Sequence, residues 1–236
     1  MAWILNIESS THVCSVCLAK DGEVKGLKES KEDKSHATLL TVFIEELLRE
    51  NKLSGTDLDA VAVSKGPGSY TGLRIGVSAA KGLAYGSGIP LIGIDTLEAL
   101  AFDAAGRIQY MDTLKDIRDL LLCPMIDARR MEVYMAMYTP QLEPYRKVEA
   151  TVVQEGGFDH ILKDFTILFF GNGADKCKQV IQHSNARFLD HVVPSAKNMV
   201  HLSGKSFSEK KFEDVAYFEP FYLKDFVATT PKNKII

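Results

Sequence analysis

Apolar and polar positions along the first hundred residues fall into two alternating periods. Residues 3–7 form an apolar run broken only by Asn6, and residues 13–19 and 24–28 follow as strand-like runs. The last two are joined by Lys20-Asp21-Gly22-Glu23, an Asp-Gly hairpin signal. Residues 35–52 then change period: Leu39, Leu40, Phe43, Ile44, Leu47 and Leu48 recur at helical spacing, with Ser35 placed to cap the helix. That stripe is wide enough to face a core on one side and a partner on the other. A short helical turn at 56–59 leads into a buried strand at 60–64, a helix at 71–87, a strand at 91–94, and a helix at 97–105 capped by Thr96. The order β-β-β-α-β-α-β-α predicts a mixed sheet flanked by helices.

The polar stretch 106–119 carries no clear period and marks a boundary between an N-terminal lobe, 1–105, and a smaller C-terminal lobe, 106–236. Beyond it the opening pattern returns. A strand at 121–126 ends in Asp127, a polar turn covers 128–131, and a strand follows at 132–138, just as the first strand ends in Glu8 before a polar turn and a second strand. This repetition points to a duplicated fold. Strands at 147–153 and 165–170 and helices at 158–163, 174–182 and 196–210 complete the second half, with the last helix expected at its far side. Residues 219–224 close the ordered chain, and 231–236 read as a frayed tail.

The stretch 64–76, Ser-Lys-Gly-Pro-Gly-Ser-Tyr-Thr-Gly-Leu-Arg-Ile-Gly, joins a strand to a helix. Gly66 and Gly68 permit backbone angles that a side chain forbids, and Ser69 or Thr71 can cap the helix. Such a junction presents N–H groups and a dipole to an anion. Its spacing fits neither the P-loop nor the dinucleotide fingerprint, and from the residues alone a plain tight turn explains it better than a phosphate cradle. With Glu8 and Ser9 at the end of the first strand and Asp127 at its counterpart, Gly66 and Gly68 form the candidate nucleotide site. Two carboxylates at facing strand ends suit a magnesium–phosphate site.

Within the helix, Gly72, Gly76, Ala80 and Ala84 form one row of small residues and Ser78, Gly82 and Gly86 a second. Glycine inside a helix costs roughly 1 kcal/mol against alanine, so the rows call for close approach to something. A partner helix and the chain's own sheet are the two choices, and opposite sides of the helix can serve both.

Charge and composition narrow the classes. The 236 residues are 46% hydrophobic and 25% charged, with net charge −3. That is ordinary for a globular protein and gives no global basic face for nucleic acid. The opening residues lack a basic leader and reach Glu8 early, and no apolar run approaches a membrane span of about 20 residues; the expectation is a cytoplasmic chain without membrane contact. Cys14 and Cys17 spell CxxC inside a strand, where spacing of three sends them to opposite faces, so they read as small buried residues. His36 has no histidine partner at helical spacing and reads as a solvent or interface residue, and no metal site is expected. Neither HExxH nor G-x-S-x-G occurs, so a peptidase finds no support.

The motif Gly66-Pro67-Gly68-Ser69-Tyr70-Thr71-Gly72-Leu73-Arg74-Ile75-Gly76 resembles the signature of the TsaB (YeaZ) family, which serves threonylcarbamoyladenosine synthesis in tRNA. Ile7-Glu8-Ser9-Ser10, the helix from Ser35 to Leu48, Asp127-Ala128-Arg129-Arg130-Met131-Glu132-Val133-Tyr134 and Pro220-Phe221-Tyr222-Leu223-Lys224 resemble further family segments, with Lys224 in place of arginine. The resemblance implies an α/β fold of the ASKHA (actin/Hsp70/sugar-kinase) type with two lobes of duplicated origin, related to TsaD and Kae-type proteins. It implies a non-catalytic scaffold or activator that binds TsaD, with TsaE joining and tRNA bound through the complex. ATP and magnesium are then used by the complex rather than bound by this chain alone. A homodimer through the same helices is implied for the isolated chain. The expected partner interface is His36, Leu39, Leu40, Phe43, Leu47, Tyr70, Thr71, Arg74, Ile75, Gly76, Ser78, Ala79 and Gly82. The competing reading is a small ASKHA-type ATPase or phosphotransferase using Glu8, Asp127 and the glycine loop.

Overall fold

The computed structural model describes residues 2–32, 36–114 and 117–224. The cap expected at Ser35 and the tail expected at 231–236 lie outside the described residues.

The chain builds two five-stranded sheets. The first holds β1 (Trp3–Glu8), β2 (Cys14–Lys20), β3 (Glu23–Ser30), β4 (Ala60–Gly66) and β5 (Leu91–Asp95), in the order β3-β2-β1-β4-β5. The second holds β6 (Leu120–Asp127), β7 (Glu132–Tyr138), β8 (Pro144–Val152), β9 (Thr166–Phe170) and β10 (Ala186–Leu189), in the order β10-β9-β6-β7-β8. Read from β8, the second order repeats the first. The pairings repeat too: a leading antiparallel meander, then two parallel neighbours on the other side of the first strand. The second half therefore repeats the architecture of the first, and the strand–carboxylate–turn–strand repeat in the sequence is its trace. The Asp21-Gly22 hairpin has both residues at positive φ, 52° and 81°, as its sequence predicts.

Helices fill the faces in layers. On one face of the first sheet lie α1 (His36–Glu50) and α2 (Tyr70–Ser87), where Leu40, Ile44, Leu47, Val77, Ala80 and Ala84 meet Leu5, Ile7, Val16, Leu18, Val61 and Val63. Full burial of a side chain such as Leu47 stabilises by about 1.5–3 kcal/mol. Strand alternation sends Ala60 and Ala62 to the other face, against α3 (Thr96–Ile108) and α5 (Val200–Ser208). α3 also buries Leu97, Leu100, Ala101 and Ala104 against Leu122, Ile126 and Phe170 of the second sheet, so one helix serves both lobes. The outer face of the second sheet is covered by α4 (Asp159–Leu162) and the segment reaching Ile181. Cys14 and Cys17 are buried on opposite faces of β2, in separate apolar clusters, and burial pushes their thiols up to about 11 and about 12. Among the described residues no helix is long and apolar enough to cross a membrane.

Four local expectations change. Asp95, not Thr96, caps α3: its carboxylate accepts from the N–H groups of Leu97 and Glu98 at 2.9 and 3.2 Å, while Thr96 is buried in the first turn. The helix expected at 174–182 is a single 3-10 turn, Asp175–Cys177. Ala174, Cys177 and Ile181 reach the core there and Val180 packs beside them, but the N–H groups of Cys177, Lys178 and Val180 bond three residues back rather than four, the tighter 3-10 pattern. The strand β10 follows where none was expected; it is short, half-buried and held by parallel pairing to β9. Finally, residues 196–208 do not lie at the far side of the second half. They return to the first sheet, where Ala196 and Val200 pack on Cys17 and Ala19.

Candidate functional site: the glycine loop and the paired helices

β4 delivers the chain to a cis Gly66-Pro67 bond, and α2 begins four residues after Gly66. Ser69 is the helix cap, its hydroxyl accepting from the Gly72 N–H at 3.3 Å. The Ser69 N–H donates to the Ser10 carbonyl at 2.6 Å. This bond seats the loop on the turn that follows β1. A Cβ at Gly68 would stand 2.3 Å from the Ser10 carbonyl oxygen, and one at Gly72 2.1 Å from that of Ser9. At Gly76 it would stand 2.1 Å from the Ser9 hydroxyl. Gly68, Gly72 and Gly76 recur every fourth residue because one side of α2 lies flat against Ser9 and Ser10.

Glu8 is buried beneath this contact, 1% exposed. Its carboxylate accepts the Ser10 N–H at 2.6 Å, and the Ser9 N–H donates to the Ser64 hydroxyl at 3.3 Å. Burial raises the Glu8 carboxyl above its ordinary range, although the hydrogen bonds oppose that shift. From the other side the C-terminal segment closes over the loop. The Phe221 N–H donates to the Lys65 carbonyl at 2.7 Å, and the Tyr222 ring packs tilted against Tyr70, with centroids 4.8 Å apart. Arg74 lies 4.2 Å over the Tyr70 ring and donates to the Tyr222 hydroxyl at 3.2 Å.

The residues therefore do not fit a nucleotide phosphate at this loop. The protein's own turn occupies the glycine face where a phosphate would lie. Asp127 shares no hydrogen bond with Glu8 or its turn among the described residues. It sits at the end of β6, part-exposed, ion-paired with Lys176 and accepting the Arg129 N–H at 2.9 Å. No group of three or more His, Cys, Asp or Glu suited to a metal ion occurs among the described residues.

The residues expected to meet a partner divide by direction. Leu40, Leu47, Gly76 and His36 point inward. His36 is 7% exposed, with its Nε2 3.2 Å from the Val13 carbonyl, so it is a buried anchor of α1 rather than a solvent or interface residue. Its polar ring misleads because a helix start can use a side-chain N–H against a neighbouring strand. Leu39, Phe43, Ile75 and Ala79 are half-buried at the rim of the same core. Thr71, Arg74, Ser78 and Gly82 face outward, and Tyr70 is half-buried. Thus both rows of α2 find a use: Gly72, Gly76, Ala80 and Ala84 against the chain's own sheet and turn, and Ser78, Gly82 and Gly86 toward solvent. Large substitutions at Gly76 or Ala80 would disturb folding, whereas a Cβ at Gly82 meets nothing within 4 Å. Sequence reasoning missed Val42 and Tyr85, exposed at 42% and 84% on the same two helices. Val42 lies off the apolar stripe of α1, and Tyr85 follows Gly82 by one helical turn; that spacing was the available signal.

Residues 23–232 match the family described as TsaD, tRNA N6-adenosine threonylcarbamoyltransferase. The tRNA threonylcarbamoyladenosine biosynthesis protein TsaB of Escherichia coli is 31% identical over 231 residues, 95% of this chain and 96% of that one. The Bacillus subtilis protein of the same name is 32% identical over 182 residues, 76% of this chain and 75% of its own. In structure, YeaZ from Pseudomonas aeruginosa superposes with a TM-score of 0.77 at 23% identity, covering 94% of this chain and all of that one. Identity over nearly the whole of both chains, on a matching two-lobed fold, shows that this chain belongs to the TsaB (YeaZ) family of tRNA threonylcarbamoyladenosine biosynthesis proteins.

Proposed function

We propose that this chain is a non-catalytic subunit in threonylcarbamoyladenosine synthesis on tRNA, binding TsaD and admitting TsaE to the complex. ATP and magnesium act in that assembly, in the cytoplasm, and the isolated chain pairs with itself through the same helices. The observation that carries the reading is the outward side of α1 and α2. Half-buried Leu39, Phe43, Ile75 and Ala79 adjoin the exposed small row of Ser78 and Gly82. An apolar rim beside side chains too small to hold another backbone away is what a close helix-to-helix contact needs. The buried Glu8 and the plugged glycine loop speak against the phosphotransferase alternative.

The deciding experiment combines TsaD, TsaE, the threonylcarbamoyl-adenylate synthase, tRNA, ATP, threonine and bicarbonate, with and without this chain. Modification is expected only when the chain is present. Modification indifferent to the chain would sink the proposal, as would robust ATP turnover by the isolated chain that Glu8→Ala and Asp127→Ala abolish. Gly82→Leu tests the surface. It should keep the fold, since leucine favours a helix interior by roughly 0.8 kcal/mol over glycine, and should weaken both TsaD binding and self-association about tenfold, roughly 1.4 kcal/mol. Light scattering that finds both unchanged would remove the α2 seam from the interface.

A further inference from the structure

The turn between β6 and β7 carries two adjacent arginines in an unfavourable backbone conformation. Arg129 and Arg130 have φ of 71° and 49°, the left-handed region where asparagine and glycine are at ease and long side chains are not. The Ala128 and Glu132 N–H groups close the turn onto the Glu132 and Arg129 carbonyls, both at 3.1 Å. Both arginines are exposed, and among the described residues neither guanidinium has a hydrogen bond, ion pair or ring contact.

The neighbouring carboxylates are already engaged. Asp127 is paired with Lys176, and Glu132 with Lys224. Four cations against two carboxylates leave the two guanidinium charges unopposed, on a chain whose net charge is −3. Strain retained where a side chain has no structural use points to a use outside the chain. Beside the turn, Lys224 lines a small cleft with Tyr134, Phe221 and Tyr222, and Phe221 is 42% exposed. The cleft holds about 30 Å³, room for a water and not for a base.

We propose that the Arg129–Arg130 turn grips the phosphate backbone of tRNA, one guanidinium to each of two phosphates. Guanidinium forks match phosphate oxygens in geometry as well as charge. The inference rests on the reading that this chain works in a tRNA-modifying complex, and it names the element of the chain that touches the RNA.

The test uses fluorescein-labelled tRNA and anisotropy across a salt series, with the isolated chain and with its complex with TsaD. Arg129→Asn/Arg130→Gly supplies residues suited to the turn. It should raise Tm by a few degrees, at about 2–4 °C for each kcal/mol of relieved strain, while weakening tRNA binding about tenfold and lowering the slope of log K against log salt by about 1–2. Arg129→Lys/Arg130→Lys should keep most of that slope. Unchanged affinity and slope in the Asn-Gly variant overturn the inference, as does a wild-type chain that binds no tRNA in either form. A variant that loses TsaD instead of tRNA overturns it in favour of an acidic protein partner. If wild-type chain fails to join TsaD, the proposed function fails, and the isolated-chain titration still decides this inference.

Discussion

Gly72→Ala should cost about 3 kcal/mol or more of folding stability, at the upper end of what overpacking does. The added methyl would stand 2.1 Å from the Ser9 carbonyl oxygen. That oxygen belongs to a turn held by three hydrogen bonds: Ser9 N–H to Ser64, Ser10 N–H to Glu8, and Ser69 N–H to the Ser10 carbonyl. Neither α2 nor the turn can retreat without breaking one of them, and the roughly 1 kcal/mol that alanine gains over glycine in a helix does not offset this. Gly76→Ala meets a different obstacle, the Ser9 hydroxyl at 2.1 Å, with the Ser9 Cβ at 3.2 Å. That hydroxyl has no hydrogen-bond partner among the described residues, so its removal frees space at little cost. Ser9→Ala should therefore recover about 1 kcal/mol or more of the loss in Gly76→Ala and none of the loss in Gly72→Ala. Urea unfolding of Ser9→Ala, Gly72→Ala, Gly76→Ala and the two double variants, each against wild type, measures both cycles. A Gly72→Ala protein as stable as wild type would show that α2 does not lie on this turn.

The same contact explains what could and could not be read from the sequence. The glycine spacing announced close approach, and the strand–carboxylate–turn–strand repeat announced duplication, because both are local. The identity of the approaching group was not local. Ser9 and Ser10 stand about sixty residues before α2, and only the parallel pairing of β1 with β4 brings them under it. For that reason a phosphate cradle stayed open beside the favoured tight turn until Glu8 proved buried. The apolar stripe of α1 likewise fixed the helix but not which side faces inward, so Leu40 and Leu47 were counted with a partner surface when they belong to the core. β10 and the return of residues 196–208 to the first sheet depend on contacts distant in sequence, and a four-residue strand containing Arg187 gives no periodic signal of its own.

Glu8→Gln should stabilise the protein at pH 8 by roughly 1–3 kcal/mol, the cost of leaving a buried group poorly solvated, and should flatten its stability toward alkaline pH. The Glu8 carboxyl is raised from 4.5 chiefly by burial. Below that value folded and unfolded chains both carry the proton, and the group does not penalise folding. As pH rises past 4.5 the unfolded chain releases its proton first, so stability falls until the folded carboxyl ionises as well, after which the loss is complete. Glutamine removes the charge and keeps an oxygen to accept the Ser10 N–H. Its amide can turn toward the Ser10 and Ser64 hydroxyls, both of which lie against the carboxyl. Asp95 is also raised by burial, from 3.8, against the opposing N–H bonds of Leu97 and Glu98, and it adds a fall of the same sign. Glu8→Gln should remove its own share and leave that of Asp95. Thermal unfolding of both proteins from pH 4 to 9 reads the difference. Parallel curves would mean that Glu8 is as well solvated folded as unfolded, and the plugged loop would have to be reconsidered as an open one. A gap that opens only above pH 4.5 would place the carboxyl where the structure has it, sealed beneath the turn and held out of reach of a phosphate or a metal.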